Sequence, residues 1–509
     1  MQTAATTERW ANREEKDSIS AIIEGSAAHG ISPSGKTGAR WRSGGLEWLN
    51  LSYFVYSLAL ALAMLLSLPY WLYQSLRHGK YRSGLAERLG KVPSRLIGSA
   101  AAPAAVAGAC SELAEEVSRP DRVIWVHAVS LGEVLAVSGL VEQMQRSFPQ
   151  HRVLVSTTTD TGQALARQRF GEANVFYFPM DFAFAIRPYL RLLQPELVVL
   201  AETEFWPNFL RLAHDSGARI AVVNARISDR SWPNYRRFRW ALRRMLVHVD
   251  LFLAQTPADS TRLQSIGAET QRAQVTGNLK FDMSMPSSPP IVESLRQSLS
   301  AEGAGPVLVC GSTVEGEEPL LLRAFENLRV GHPRAVMILA PRHPERFDQV
   351  AILVRQLGIP SFRRSQWQGE ALAGGVLLVD SIGELAALYA LADVAFVGGS
   401  LVPRGGHNII EPAQHGVAIV TGNHTENFRD IVALFQSRDA VRIVGMAELP
   451  LTLMHLLAND AERRALGRRA EETMRSQMGA TSRTLEALTT LIAEDRDPRS
   501  VSAQAAHTD

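Results

Sequence analysis

The chain has 509 residues, enough for about three domains of roughly 150 residues or two large ones with an appendage, and too many for one core. Its 46% hydrophobic and 20% charged residues exclude wholesale disorder, a collagen repeat and a multi-span transporter. With 53 Lys and Arg against 51 Asp and Glu, the net charge of +2 gives no whole-protein field that would hold nucleic acid, so any basic partner site has to be local.

Residues 1–45 are rich in Ser, Gly, Ala and Thr without apolar periodicity and read as a mobile tail. Residues 48–76 contain no charge, and Tyr53 to Tyr73 (YFVYSLALALAMLLSLPYWLY) meets the roughly 20 residues a bilayer requires. This stretch reads as one membrane anchor helix, with Tyr53, Tyr56, Tyr70, Trp71 and Tyr73 toward its ends and Pro69 near the exit. A buried hairpin or a cleaved signal is the alternative. A signal is disfavoured because the run is long, starts late and ends in aromatics rather than in a small-residue cleavage site. Arg77, Lys80, Arg82, Arg88 and Lys91 follow the segment, and Lys36, Arg40 and Arg42 precede it. That modest excess places the large body in the cytoplasm, and the cluster fits either a stop-transfer flank or an attraction to anionic headgroups. Cys110 and Cys310 stand far apart and fit neither a disulfide framework nor a zinc cluster, in keeping with a reducing compartment.

From about Asp121 short apolar runs alternate with helical patterns: VIWVHAV, RVLVSTTT, ELVVLAETE, RIAVVNARI, LFLAQT and QVTGN. This is the rhythm of a parallel α/β sheet buried on both faces. A second series follows a Pro- and Ser-rich linker (Met283 to Pro290), with PVLVCGST, AVMILAPR, VLLVDSI, VAFVGGS and VAIVTG. Both series open alike, WVHAVSLGE and VCGSTVEGE, each running from a strand through small residues to Gly-Glu at a helix start. The economical architecture is two doubly wound, Rossmann-like lobes, over 77–282 and 291–492, with ligands in the cleft beyond the carboxyl ends of their strands. The dinucleotide fingerprint GxGxxG is absent, which removes the main support for a nicotinamide dehydrogenase.

Several residues at strand ends could carry chemistry. Glu133 follows the first strand on the turn Ser130-Leu131-Gly132 and is a candidate general base, although Ser130-x-x-Glu133 is equally a capping box. Glu202 and Glu204 in AETEFWPN fit either a contact to a hydroxyl-rich acceptor or solvated loop carboxylates. In the second half GSTVEGEE, APRHPERF and GGSLVPRGGHNIIEP together resemble a nucleotide seat. Gly398, Gly399, Gly405 and Gly406 allow backbone N–H groups to approach phosphate, Arg342, His343 and Arg404 supply positive charge, and Glu411 suits the two hydroxyls of a ribose. His407 and Glu411 share a helical spacing, but no second histidine completes a zinc motif, and Asp495-x-Asp497 lies in a polar tail, so no metal is expected. His127 directly follows a strand and reads as a structural histidine.

These motifs resemble the bacterial Kdo transferase family, enzymes that attach 3-deoxy-D-manno-octulosonic acid (Kdo) to the lipid A precursor. The resemblance runs in order through YRSGLAERLG, VHAVSLGEV, TTTDTG, YFPMDF, ETEFWPN, NARIS, GNLKFD, GSTVEGEE, APRHPERF, GGSLVPRGGHNIIEP and GNHTENF, over roughly residues 50 to 490. It implies the GT-B glycosyltransferase fold, CMP-Kdo as donor, and a tetraacylated, bis-phosphorylated glucosamine disaccharide in the inner leaflet as acceptor, with no cofactor. By the resemblance Glu133 is the catalytic base of an inverting displacement. Ser312, Thr313, Glu317, Arg342, His343, Gly399, Arg404, Gly405, Gly406, His407, Asn408 and Glu411 fall to the donor, and Ser130, Gly132, Glu202, Glu204 and Lys280 to the acceptor or the Kdo carboxylate. The chain departs from the family at Val314, where members commonly carry histidine, in its tail before residue 45, and in an Ala-rich insert near 99–120. A sugar-nucleotide epimerase on the same fold would leave the anchor unexplained, and a tethered nucleotide-sensing module is the non-enzymatic alternative.

Overall fold

A computed structural model of the chain describes residues 43–78, 83–96, 122–229, 231–283 and 289–493. The expected mobile tail up to residue 42, the basic residues Lys80 and Arg82, the insert near 99–120 and residues 284–288 of the expected linker lie outside the described residues. One helix runs unbroken from Ser43 to His78, through Pro69, so the apolar run is a single helix and not a hairpin. Within it Ser52–Pro69 is long and apolar enough to cross a membrane, and Phe54, Leu58, Leu62, Leu65 and Leu66 are exposed. Arg88, expected in the basic flank, is otherwise engaged: its guanidinium donates to the Thr158 carbonyl at 2.5 Å and lies 4.4 Å from the centre of the Tyr177 ring.

Seven strands, β1 (Arg122–His127), β2 (His151–Thr157), β3 (Val175–Tyr177), β4 (Pro195–Ala201), β5 (Arg219–Ala225), β6 (Leu251–Ala254) and β7 (Ala273–Val275), form the first sheet. They pair in parallel in the order β3-β2-β1-β4-β5-β6-β7. The second sheet takes β8 (Val307–Thr313), β9 (Val336–Pro341), β10 (Ser361–Arg363), β11 (Val376–Leu378), β12 (Val394–Val397), β13 (Ala418–Gly422) and β14 (Arg442–Val444). Its order is β10-β11-β9-β8-β12-β13-β14, again all parallel. Helices pack apolar stripes on both faces of each sheet, so the central strands are apolar through their buried middles. Ile124, Trp125 and Val126 are fully buried, and Trp125 meets the rings of Phe176 at 5.2 Å and Phe209 at 4.9 Å.

In each sheet the winding reverses once, between β1 and β4 and between β8 and β12. Chains leaving two adjacent strands in opposite directions open a crevice at their carboxyl ends. The two crevice edges meet: the Arg226 guanidinium lies 2.9 Å from the Asp430 carboxylate, and Arg429 bonds Asp229 at 2.6 Å. The chain then crosses back. Helix Ala480–Ala493 buries Ala480, Leu488 and Leu491 in the core that holds Ile124, Val126 and Val134 of the first lobe. Asp282 fixes the crossing by accepting from the amides of Gly479 at 2.7 Å and Thr481 at 2.5 Å. The sequence groups this helix with the second lobe, because its amphipathic pattern does not say which sheet supplies the partner surface.

Candidate active site

The first crevice is built by the ends of β1 and β4. Ser130 caps helix Leu131–Ser147, its hydroxyl accepting from the Glu133 amide at 3.4 Å and donating to Glu133 Oε1 at 2.8 Å. The Val129 amide donates to Glu133 Oε2 at 2.8 Å. The expected capping box is present in altered form, Glu133 reaching the amide before the cap rather than that of Ser130, and it does not exhaust the residue. Glu133 is only 9% exposed, and burial, with Glu202 and Glu204 behind it, pushes its carboxyl up to about 7 against the pull of those hydrogen bonds. Burial and the neighbouring Glu202 likewise raise Glu204. Glu202, at the end of β4, has a left-handed backbone with φ 57°. It is the carboxylate of the group with a countercharge, Lys280 Nζ lying 3.3 Å from its Oε1 and 5.9 Å from the centre of the Phe428 ring of the opposite lobe.

Asn224 and Ser312 share that strained backbone, each at φ 54°. Three non-glycine residues thus hold a conformation that costs of order 1 kcal/mol apiece, at the ends of β4, β5 and β8. Gln194 at φ 41° and Asp439 at φ 50° share it away from the crevices. Gly132, in the first turn of the capped helix, is not required by packing, since a Cβ there would meet only Ser130 Oγ, at 3.9 Å. Gly132→Ala is expected to leave the thermal midpoint within about 2 °C and to raise the acceptor KM. An unchanged KM would show that nothing approaches this turn during turnover.

The second crevice, at the ends of β8 and β12, is organised by Glu317. It is fully buried, and its carboxylate accepts from four amides: Gly399 at 2.8 Å, Ser400 and Leu401 at 2.9 Å each, and Val314 at 3.1 Å. Expected as a donor contact, Glu317 is instead the post around which the glycine loop folds. Consequently the amides expected to cradle phosphate are partly engaged. Gly399 donates to Glu317, Gly398 to the Gly311 carbonyl at 2.8 Å and Gly406 to the Gly399 carbonyl at 2.7 Å. Gly398 has no room for a side chain, since a Cβ would stand 2.7 Å from the Ser312 carbonyl oxygen, and Gly399, at φ 70°, would overlap the His407 ring.

His407 Nδ1 lies 2.7 Å from the Gly398 carbonyl, and burial depresses its pKa, so the imidazole is neutral and donates there. Asn408 donates to Glu411 Oε1 at 3.3 Å while its own oxygen accepts from the Ile410 amide at 3.1 Å. Burial raises Glu411, opposed by Asn408 and by the charge of Arg342. Arg342, His407, Asn408 and Glu411 thus form one electrostatic group. Arg342, His343 and Arg404 are exposed, and Arg342 and Arg404 make no ion pair among the described residues. Ser312 is half-buried, and Thr313 is buried with its hydroxyl donating to Glu318 Oε1 at 3.2 Å, an internal role. Gly405 packs on the Asn427 side chain. Val314 is 5% exposed.

His127 is buried with Nδ1 3.0 Å from Ser156 Oγ and its ring stacked 3.8 Å from Phe178; burial lowers it to about 3, which keeps it neutral. Sequence reasoning missed the charges that join the lobes. Arg226 lies within the quoted NARIS motif and Asp229 directly after it, Arg429 and Asp430 follow GNHTENF, and only their pairing across the lobes marks them.

A sequence model of the family described as 3-deoxy-D-manno-octulosonic-acid transferase (kdotransferase) matches residues 84–283. The 3-deoxy-D-manno-octulosonic acid transferase of Bordetella pertussis is 36% identical over 454 residues, covering 85% of this chain and 98% of that protein. The enzyme of the same name from Haemophilus influenzae is 32% identical over 418 residues, covering 81% and 92% respectively. Among solved structures, UDP-GlcNAc 2-epimerase from Neisseria meningitidis bound to UDP-GlcNAc aligns with a TM-score of 0.50 at 13% identity, over 72% of this chain and all of that one. That likeness is one of fold, the two-lobed GT-B arrangement.

Proposed function

Because the chain belongs to the 3-deoxy-D-manno-octulosonic acid transferase family, we propose that this glycosyltransferase moves Kdo from CMP-Kdo to a lipid A precursor by a single inverting displacement, with Glu133 as general base. The observation that carries the proposal is the Glu133 carboxyl, nine-tenths buried at the first crevice and raised to about 7. A base is most effective when its pKa lies near the working pH. In the reaction the Glu133 carboxylate takes the proton of an acceptor hydroxyl as that oxygen attacks the anomeric carbon. The bond from that carbon to the CMP phosphate breaks, and CMP leaves with the electron pair. One displacement inverts the anomeric centre and needs no covalent intermediate. Arg342 would offset the charge on the departing phosphate, with Asn408 and Glu411 toward the ribose. The first lobe would then serve the acceptor and the second the donor, with Glu202, Glu204 and Ser130 lining the acceptor side.

A lipid acceptor gives the apolar helix a purpose, as an anchor in the inner membrane with the catalytic body in the cytoplasm. The test is transfer from CMP-Kdo generated in situ to a tetraacyl lipid A precursor, followed by mass spectrometry of the lipid. A gain of one or more Kdo masses is expected. Binding of CMP-Kdo without any lipid product would sink the acceptor assignment and direct attention to Val314.

Lys280 allows a sharper check. Its ammonium neutralises Glu202, the charge that together with burial raises Glu133. Lys280→Ala should move the acidic limb of the pH–rate profile upward by about half to one unit and weaken binding of one substrate. An unmoved limb with unchanged affinity for both substrates would remove Lys280 from the site.

A further inference from the structure

Two of the quoted motifs, YRSGLAERLG and TTTDTG, take no part in the chemistry above, yet they meet in the first lobe. From the first, helix Leu85–Arg88 lies against β3. The Tyr177 amide donates to Glu87 Oε2 at 2.8 Å, Arg95 pairs with Glu87 Oε1 at 2.6 Å, and the Met180 amide donates to the Arg88 carbonyl at 2.8 Å. Gly84, at φ 69°, faces the Tyr177 ring so closely that a Cβ would stand 1.9 Å from it. These contacts fix the segment without help from the Arg88 side chain. That side chain is half-buried across the Tyr177 ring, and its bond to the Thr158 carbonyl reaches into the TTTDTG loop.

From there the hydrogen bonds run on toward Glu133. The Thr158 carbonyl shares a peptide unit with the Thr159 amide. The Thr158 and Thr159 amides each donate to the Val129 carbonyl at 3.1 Å, and the Thr159 hydroxyl does so at 3.3 Å. The amide of that same Val129 holds Glu133 Oε2. A guanidinium on the carbonyl of a peptide unit polarises its N–H, which strengthens the next bond in the line. Helix Asp160–Phe170 adds a stop. Thr159 caps it by accepting from the Gly162 amide at 3.1 Å, and a Cβ on Gly162 would stand 3.2 Å from the Ser130 carbonyl carbon. The turn that carries Glu133 therefore rests on a loop whose other side is held by Arg88.

From this line of bonds we infer that Arg88 is a positioning residue for Glu133: it holds the Thr158–Thr159 loop, the loop fixes Val129, and the Val129 amide orients the carboxylate. The charged and titratable groups around Arg88 are Glu87, Asp160 and Tyr177, the last donating to Asp160 Oδ1 at 2.7 Å, while Glu133 faces Glu202 and Glu204. The Val129 amide pulls the Glu133 carboxyl down against burial, so loosening that amide raises the carboxyl further. The kinetic consequence rests on Glu133 being the base proposed above; the coupling of Arg88 to the carboxyl does not.

The test uses the full chain carrying Arg88→Met, which keeps an apolar stem on the Tyr177 ring and removes the guanidinium. Its limiting kcat should fall about tenfold, the acidic limb of its pH–rate profile should rise by about half to one unit, and KM for both substrates should stay within about twofold of the parent. Arg88→Lys keeps the charge and a donor for the carbonyl and should recover most of both losses. A second readout needs no turnover: the thermal midpoint of each Glu133→Gln counterpart minus that of its parent, followed from about pH 4.5 to about 9. That gap opens as the carboxyl ionises and levels off above about 7 in the parent chain; in Arg88→Met it should level off about half to one unit higher. A lowered midpoint with limb and gap both unmoved would make Arg88 a structural residue only and overturn the inference. A gap that moves while the limb does not would support the coupling and count against Glu133 as the base. Should Arg88→Met not fold, Thr159→Ala cuts the same line one bond further on, and both readouts should move in the same direction. An unmoved limb and gap in that variant would overturn the inference equally.

Discussion

Glu133→Gln is expected to lower kcat by about 10²–10⁴-fold, the usual contribution of a positioned general base, with CMP-Kdo affinity unchanged because no donor-side group is touched. In the parent, kcat/KM should rise with pH through about 7, where the Glu133 carboxyl ionises, and the variant should lack that limb. A stability measurement gives an independent check. Burial and Glu202 lift the folded carboxyl from 4.5 to about 7, so the folded state holds this proton more tightly than the unfolded chain does. The stability associated with Glu133 is fully present below about pH 4.5 and declines as pH rises through 7, by about 3 kcal/mol in total. Glutamine cannot ionise, so the variant should be more stable than the parent at pH 8, and the gap should close toward pH 4.5. A variant that keeps turnover, or one whose stability tracks the parent at every pH, would contradict the assignment.

Glu317→Ala should do the reverse, costing fold and donor binding together. The substitution leaves four buried amides, of Val314, Gly399, Ser400 and Leu401, without an acceptor. Each orphaned donor costs about 1–3 kcal/mol, not additively, so a loss of about 4 kcal/mol is expected in denaturant unfolding. The loop it holds also positions His407 through the Gly398 carbonyl, so CMP affinity measured by calorimetry should fall steeply. Unchanged stability with weakened CMP binding would show that Glu317 meets the ligand directly. The pair of predictions separates two glutamates that the sequence presents alike, each closing a Gly-Glu at the start of a lobe.

The difference between them was decided in space. In the second lobe the loop after β12 turns three of its amides toward Glu317. In the first lobe the loop after β4 presents Glu202 and Glu204 instead, and Glu133 receives one amide and one hydroxyl. Equivalent positions therefore give a structural anchor in one sheet and, in the other, a carboxyl raised to about 7. Periodicity and turn residues reveal that a glutamate follows a strand, but not what the neighbouring loop brings to it.

What the sequence determined by itself was local in origin. Continuous apolar runs of four to seven residues separated by amphipathic helices require parallel strands covered on both faces, and two such series require two sheets. The uncharged run after Glu47 requires a long apolar helix. Small residues at strand ends mark where ligands can approach. The tertiary structure alone decided that helix Ala480–Ala493 returns to the first lobe, that the glycine loop spends its amides on Glu317, and that Arg226 and Asp229 meet Asp430 and Arg429. Each of these depends on a partner distant in the chain. Burial, charge pairing and the ionisation of a carboxyl are properties of an environment, and here that environment is assembled from residues that no spacing along the chain connects.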